Sequence, residues 1–316
     1  MTESTQNIYR VIFNNKKIDM KIDTGFDPKL SSSIKRNLSI TSARLKSFTS
    51  KDFVSEDLLR PATHLMGGKS KLLRSTLIFT SAAALGERQS DYIDLAVAME
   101  LLHTSSLVHD DIIDEGIKRR GMEAVNMKYG DEVALIAGNA LVSKAIQIAS
   151  KYGREVLLSV SETAMEMCAG ELIDVYYQKS KEIPNLKEYT KIAELKSASL
   201  IAASCSVVGL HKKIKNRNSF YRFGTDLGIA FQVRDDIIDF VDSNEAKRNK
   251  SKLSKRSLPN VITTLQQEFS INRKEAITKA VELNNRYVDS AIGRIGKIEK
   301  RRNLASYAEA IKIDLV

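Results

Sequence analysis

Tryptophan is absent from this 316-residue chain, proline occurs four times, cysteine twice and glycine fifteen times. Each scarcity removes a class of protein. So few prolines and glycines cannot supply the closely spaced turns of an all-β sandwich or barrel. The two cysteines, Cys168 and Cys205, build no disulfide framework and lack metal-type spacing. Both lie in apolar, helix-like runs and read as core thiols in a reducing compartment. No run of eighteen consecutive apolar residues occurs, so no membrane span is expected. The first twenty-odd residues mix Lys, Asn and Asp with short apolar pieces and lack the apolar core of a secretory signal. A cytoplasmic protein is the expectation. Aromatic residues amount to 6% and are rarely interleaved with basic ones, which weighs against nucleic-acid binding despite a net charge of +10. A phosphate-bearing small molecule is the better match for that charge.

What is abundant is Ala, Leu, Ile, Lys and Glu, and 43% of the chain is hydrophobic. That is enough for a sizeable core, and the composition favours helices. Apolar residues recur at three- and four-residue intervals from about Pro28 to Thr49 and Leu58 to Leu65, and Gly67-Gly68 interrupts them. Helices are expected over Lys69–Gly86, Asp91–Asp114, Asp131–Tyr152, Glu155–Gln178 and Leu186–Leu210, with Pro184 in a linker. Another helix carries Phe231–Phe240. A polar, basic loop runs from Ser243 to Arg256, and shorter helices close the chain. Strand-period alternation is missing. The expected fold is all-α: residues 1–24 form a loose arm, and 25–316 form one bundle of long helices around a central cavity.

The stretch ELLHTSSLVHDDIIDEGIKRRG, Glu100 to Gly121, concentrates charge where a core helix normally excludes it. On a helix Asp110, Asp111 and Asp114 lie three and four apart and share one anionic side. FQVRDDIIDF repeats the pattern with Asp235, Asp236 and Asp239, and Gln232 lies on the same side as Asp235. Two such sets inside a bundle call for a cation. Hard oxygen ligands favour Mg²⁺ held by carboxylates together with phosphate oxygens of a substrate. Cations to meet that phosphate are present: Lys71 and Arg74 three apart on an expected helix face, Arg119 and Arg120, and Lys196 in an apolar helix where an unpaired charge would be costly. His103 is two turns before Asp110 on nearly the same side. His64, His109 and His211 read as structural, and Gly224 and Gly228 as close-packing positions.

These residues resemble the trans-isoprenyl diphosphate synthase (polyprenyl synthetase) family. The likeness runs from about Leu58 to Pro259, through Lys71-x-x-Arg74, HTSSLVHDDIID, RRG at Arg119–Gly121, Gly170-Glu171, Lys196-Ser197 and FQVRDDIIDF. It implies an all-α homodimer joining isopentenyl diphosphate to an allylic diphosphate, with two or three Mg²⁺ bridging the substrate diphosphate. Asp110, Asp114 and Asp235 would be metal ligands, supported by Asp111, Asp236 and Asp239. Arg119, Lys196, Ser197 and Gln232 would hold the allylic substrate, with Arg119, Lys196 and Gln232 in the catalytic role. Lys71, Arg74, His103 and Arg120 would hold isopentenyl diphosphate, although Lys69 directly follows the glycine pair and competes with Lys71. Peripheral membrane contact is expected for product release.

The resemblance also places the growing chain along the helix of the first motif. Ser105 and Ser106, five and four positions before Asp110, are small and would leave that path open. Leu101 and Leu102 would narrow it one turn deeper. A product longer than the twenty-carbon geranylgeranyl chain is therefore expected. The loop after the second motif departs from the family in being short and lacking the usual glycine-lysine and later aspartate. Lys247–Arg256 would then supply phosphate contacts, or the chain would be a weak or silent subunit of a heteromeric synthase. A geranylgeranyl diphosphate synthase is the other alternative. A terpene cyclase is disfavoured by the second full DDIID.

Overall fold

A computed structural model describes residues 28–241 and 260–313. The expected arm 1–24 and the basic loop with Lys247, Lys250 and Lys252 lie outside them. The described residues form an all-α bundle. Its helices are α1 (Pro28–Lys46), α2 (Glu56–Thr63), α3 (Leu73–Ala84), α4 (Ile93–Ile113), α5 (Val125–Tyr129), α6 (Asp131–Ala149), α7 (Arg154–Ser180), α8 (Leu186–Ala193), α9 (Ser199–His211), α10 (Arg217–Val241), α11 (Val261–Phe269), α12 (Arg273–Arg294) and α13 (Arg302–Glu309).

Two helices are apolar nearly all round and therefore sit in the middle. In α4 the residues from Ile93 to Leu102 are buried except Asp94, and α9 is buried from Ser199 to Gly209. Their hydroxyls survive burial by bonding back one turn: Thr104 to Glu100 O at 2.8 Å, Ser199 to Leu195 O and Ser204 to Leu200 O at 2.7 Å. Gly224 and Gly228 let α10 lie directly on this centre. A Cβ at either would fall 2.5 Å and 2.4 Å from the Cα atoms of Ala202 and Ala198. A second apolar cluster, including Tyr189, Val233, Ile237, Val261 and Ile262, joins α8, α10, α11 and α12. Asn185, Asn260 and Asn272 start α8, α11 and α12 with reciprocal capping boxes.

Three local features differ from the sequence reading. Helix α3 begins only at Leu73, after Leu72 in the left-handed region (φ 48°). Lys71 therefore precedes the helix and does not share a helical face with Arg74. The long helix expected over Leu186–Leu210 is broken by a π-helical turn, Glu194–Ala198. A two-residue antiparallel hairpin, Lys118–Arg119 against Met122–Glu123, follows α4. It turns through Arg120 and Gly121 with φ of 55° and 79°, the double positive φ of a type I′ turn. Glycine takes that conformation freely and arginine does not, so Arg120 is held in a strained position beside the site. Of the two thiols, Cys205 is in the core, but Cys168 is exposed on α7.

Candidate active site

The end of α4 points its aspartates in different directions, because successive residues on a helix are turned by about 100°. Asp111 faces the hairpin and is buried. Arg119 grips it as a fork, with Nε at 3.0 and 3.2 Å from the two oxygens and Nη2 at 2.5 Å from Oδ1. Asn126 donates to its backbone carbonyl at 3.1 Å. Asp110 and Asp114 instead face α7 and the π turn. Burial pushes Asp110 up to about 7, with Glu171 and Asp114 adding and Lys196 and Arg119 opposing. Asp114 is raised by the same forces, and its Oδ1 is buried without a hydrogen-bond partner.

Lys196 meets this charge from the opposite side. The π turn presents it, and Gly170 permits the turn to approach, since a Cβ there would sit 2.3 Å from Lys196 N. A π turn in an otherwise α-helical run commonly marks a functional position. Lys196 Nζ donates to Asp174 Oδ2 at 2.6 Å and pairs with Glu171 Oε2 at 2.7 Å. Burial alone would favour the neutral amine, but Asp174, Glu171 and Asp110 outweigh it and hold the ammonium form above its ordinary range. The second oxygen of Glu171 is buried without a partner. Four carboxylates thus share one ammonium, and two of their oxygens have nothing to bond.

The second motif divides its labour differently. Asp236 receives Gln232 Nε2 at 2.8 Å, Tyr189 OH at 2.8 Å and the amide of Val261 at 2.9 Å. Burial pushes Asp236 up to about 6 while those three donors pull it down, and burial, reinforced by Asp236, keeps the Tyr189 hydroxyl well above its usual range. Gln232 also accepts from Ser197 Oγ at 2.6 Å, so this chain of bonds ties the π turn, α10 and α11 together. Asp235 and Asp239 are exposed.

Between the two motifs lies a cavity of about 360 Å³. Lys69, Lys71, Arg74, Arg119, Arg120 and Arg234 supply its positive wall, and Leu107, Ile201, Phe231 and Ile238 its apolar part. Arg74 has a buried Nε without a partner. Burial depresses its guanidinium, and Glu100, Tyr307 and Asp235 counteract this. His103 is held neutral, far below its ordinary value, by burial and by Arg74, Arg120 and Arg119 around it. Arg120 Nη1 reaches Leu65 O at 3.4 Å and Thr104 Oγ1 at 3.3 Å.

Most expected site residues converge here: Lys71, Arg74, His103, Arg119, Arg120, Ser197, Gln232 and Asp235 all line the cavity, and Lys196 and Asp110 flank it. Lys69 lines it as well as Lys71. Two expectations meet a more specific geometry. Asp111 is paired with Arg119 and Asp236 with three donors, so both brace their helices in this structure. Ser105 and Ser106 do not line the cavity. Ser105 is buried with Oγ donating to Gly138 O at 2.9 Å, and Ser106 bonds back to His103 O at 3.0 Å. Leu101 and Leu102 are fully buried. The sequence reading missed Glu171 and Asp174 as partners of Lys196, although their spacing of three puts both on one face of α7. It also missed Glu100, three residues before His103 on the same face, which accepts from Ser75 Oγ at 3.0 Å.

Residues 55–291 match the polyprenyl synthetase family model. The chain belongs to the polyprenyl synthetase family. It is 30% identical over 275 residues to the short chain isoprenyl diphosphate synthase of Methanothermobacter thermautotrophicus, covering 84% of this chain and 83% of that protein. Solanesyl diphosphate synthase 1 of Arabidopsis thaliana is 30% identical, over 71% of this chain and 57% of its own length. Among solved structures, the geranylgeranyl pyrophosphate synthetase of Pyrococcus horikoshii superposes with a TM-score of 0.80 at 24% identity, over 90% of this chain and 98% of that one. This polyprenyl synthetase is accordingly a trans-prenyltransferase with the all-α fold of its structural relatives.

Proposed function

We propose that the protein condenses isopentenyl diphosphate with an allylic diphosphate to give a linear trans-polyprenyl diphosphate longer than twenty carbons. The observation that carries the reading is one cavity with a wall of cations, flanked by the unpartnered carboxylate oxygens of Asp114 and Glu171. Among the described residues no three His, Cys, Asp or Glu side chains converge to cage an ion by themselves. Asp110, Asp114 and Asp235 are hard donors suited to Mg²⁺ completed by diphosphate oxygens. Two or three such ions, when bound, supply Lewis-acid charge at the departing diphosphate.

The chain's own residues then divide the work. Arg119, Lys196, Ser197 and Gln232 hold the allylic diphosphate, and Arg119, Lys196 and Gln232 stand where negative charge grows as its C–O bond breaks. Arg74, Arg120 and Lys71, with neutral His103 as a hydrogen-bonding group, hold isopentenyl diphosphate. Leu107, Ile201, Phe231 and Ile238 keep water from the allylic cation. The alkene of isopentenyl diphosphate attacks that cation, and the proton released from the adduct passes to the departed diphosphate. A protein nucleophile is unnecessary.

The small side chain of Ser106, half-buried on α4 four positions before Asp110, supports the long product, whereas Ser105 is committed to α6. A homodimer is proposed through α6 and α7, where Leu135, Ile136, Met165, Leu172 and Tyr176 are exposed. A cytoplasmic enzyme that releases its product at a membrane surface completes the proposal. The test is extension of radiolabelled isopentenyl diphosphate on ten-, fifteen- and twenty-carbon allylic primers with Mg²⁺, with thin-layer separation of the dephosphorylated products. Products beyond twenty carbons are expected. Failure with every primer would make the chain a silent subunit, and a stop at fifteen or twenty carbons would overturn the length alone.

A further inference from the structure

The last turn of α4 carries Asp110 and Asp114, and a helix end is where backbone order is weakest. Its neighbour on one side is the bare backbone of α6. A Cβ on Gly138 would fall 2.2 Å from His109 Nε2 and 2.6 Å from its Cδ2. The imidazole of His109 therefore lies in the space that glycine leaves empty. One turn earlier on the same face, Ser105 donates to Gly138 O. His109 Nε2 stands 3.5 Å from Leu135 O, at the limit of a hydrogen bond, so surface contact rather than a strong bond holds the ring.

We propose that His109, seated on Gly138, is the positioning residue that fixes the rotation of the aspartate-bearing turn. The inference rests on the reading of Asp110 and Asp114 as ion ligands. Asp110 is the next residue, turned about 100° from His109, so the direction of one dictates the direction of the other. A carboxylate oxygen lies about 6 Å from the helix axis, and a rotation of about 15° would carry it about 1.5 Å. That exceeds the tolerance of an octahedral Mg²⁺ site, whose ligands stand at about 2.0–2.1 Å. Asp111 clasped by Arg119 limits the turn on the hairpin side, and the His109–Gly138 seat limits it on the α6 side. Without the seat, the repulsion among Asp110, Asp114 and Glu171 is free to rotate the turn.

The probe is Mn²⁺ with inorganic diphosphate, read as loss of the free-ion electron paramagnetic resonance signal and free of any dependence on turnover. Gly138→Ala forces the ring out and His109→Ala removes it, and each is expected to weaken Mn²⁺ binding by about ten- to a hundredfold, as for other residues that orient ligands. The double variant should bind no worse than His109→Ala alone, because the methyl then has nothing to displace. His109→Gln, which restores a group reaching the same space, should recover part of the loss. KM for isopentenyl diphosphate, held by Lys71, Arg74 and Arg120 outside α4 and by His103 two turns before the aspartates, should stay within about twofold. Wild-type binding in Gly138→Ala and His109→Ala, or a double variant with additive losses, would overturn the inference. Failure of the wild-type chain to bind Mn²⁺ with diphosphate would overturn the functional reading instead.

Discussion

Lys196 shows how one residue sets the state of a whole site. It is the shared counter-ion of Glu171, Asp174 and Asp110, and the groups involved are mostly shielded from water. Lys196→Met keeps the stem and removes the charge, leaving buried acids uncompensated, so a loss of about 3 kcal/mol is expected at alkaline pH. The sign of the pH dependence follows from Asp110. Unfolded, it ionises near 3.8, and folded only near 7. Between those values folding takes up a proton, so this group's contribution weakens as pH rises through the window. Without Lys196 the window widens upward. Thermal unfolding of the metal-free variant should therefore show a larger deficit near pH 8.5 than near pH 5.5, and equal deficits would refute the shared-ammonium account. Ser105 gives a second test. With its hydroxyl on Gly138 O, Ser105→Phe has no open space to enter and should cost about 1–3 kcal/mol through overpacking. Ser106→Phe is the substitution expected to shorten the product, read by thin-layer analysis.

At the scale of elements, the two acidic motifs look identical in sequence and do different jobs. Asp236 joins α8, α10 and α11 through Tyr189, Gln232 and Val261, so Asp236→Ala orphans three donors and should cost about 3 kcal/mol, visible as a lowered denaturation midpoint. Asp110→Ala and Asp235→Ala should leave that midpoint near wild type while removing most turnover. If all three variants unfold alike, the division between brace and ligand is wrong. Spacing shows that DDIID gathers carboxylates on one side of a helix, and the apolar surroundings of Lys196 show that its charge needs a partner, for which the sequence pointed to phosphate and not to Glu171 and Asp174. It does not show which carboxylate finds a donor, because Arg119 reaches Asp111 only through a hairpin whose type I′ turn is too short to register as a strand pattern. The π turn at Lys196 was equally hidden. The glycine that lets it approach, Gly170, lies on α7, and the local sequence from Leu186 to Leu210 has uninterrupted helical periodicity. The product path illustrates the same gap: position relative to Asp110 gives depth along α4, whereas facing depends on what α6 offers at Gly138.

At the scale of the whole molecule, seven of the fourteen exposed large hydrophobic side chains among the described residues lie on α6 and α7. Leu158, Met165 and Leu172 recur every seven residues along α7 and so form a single line, with Tyr176 one turn further on. Met165 and Leu172 are 74% and 71% exposed. The neighbouring α6 adds Val133, Leu135 and Ile136, on a helix whose other face packs under the aspartate segment of α4. Scattered apolar residues need no explanation, but a continuous band on two adjacent helices marks a docking surface. The proposed second copy would pair this band with itself about a two-fold axis, with Glu162 as an exposed charge on the line between Leu158 and Met165. The opposite side of α7 carries Glu171 and Asp174, so the band lies one helix diameter from the site. Met165→Glu with Leu172→Glu should convert the proposed dimer to a monomer in light scattering coupled to size-exclusion chromatography, since two unpaired charges per subunit would be buried on association. Turnover should fall with dissociation, because α6 then loses the support behind the seat of His109. A double variant that remains dimeric would place the interface elsewhere. A wild-type chain that runs as a monomer at micromolar concentration would leave the band to a different protein and make the heteromeric reading the better one.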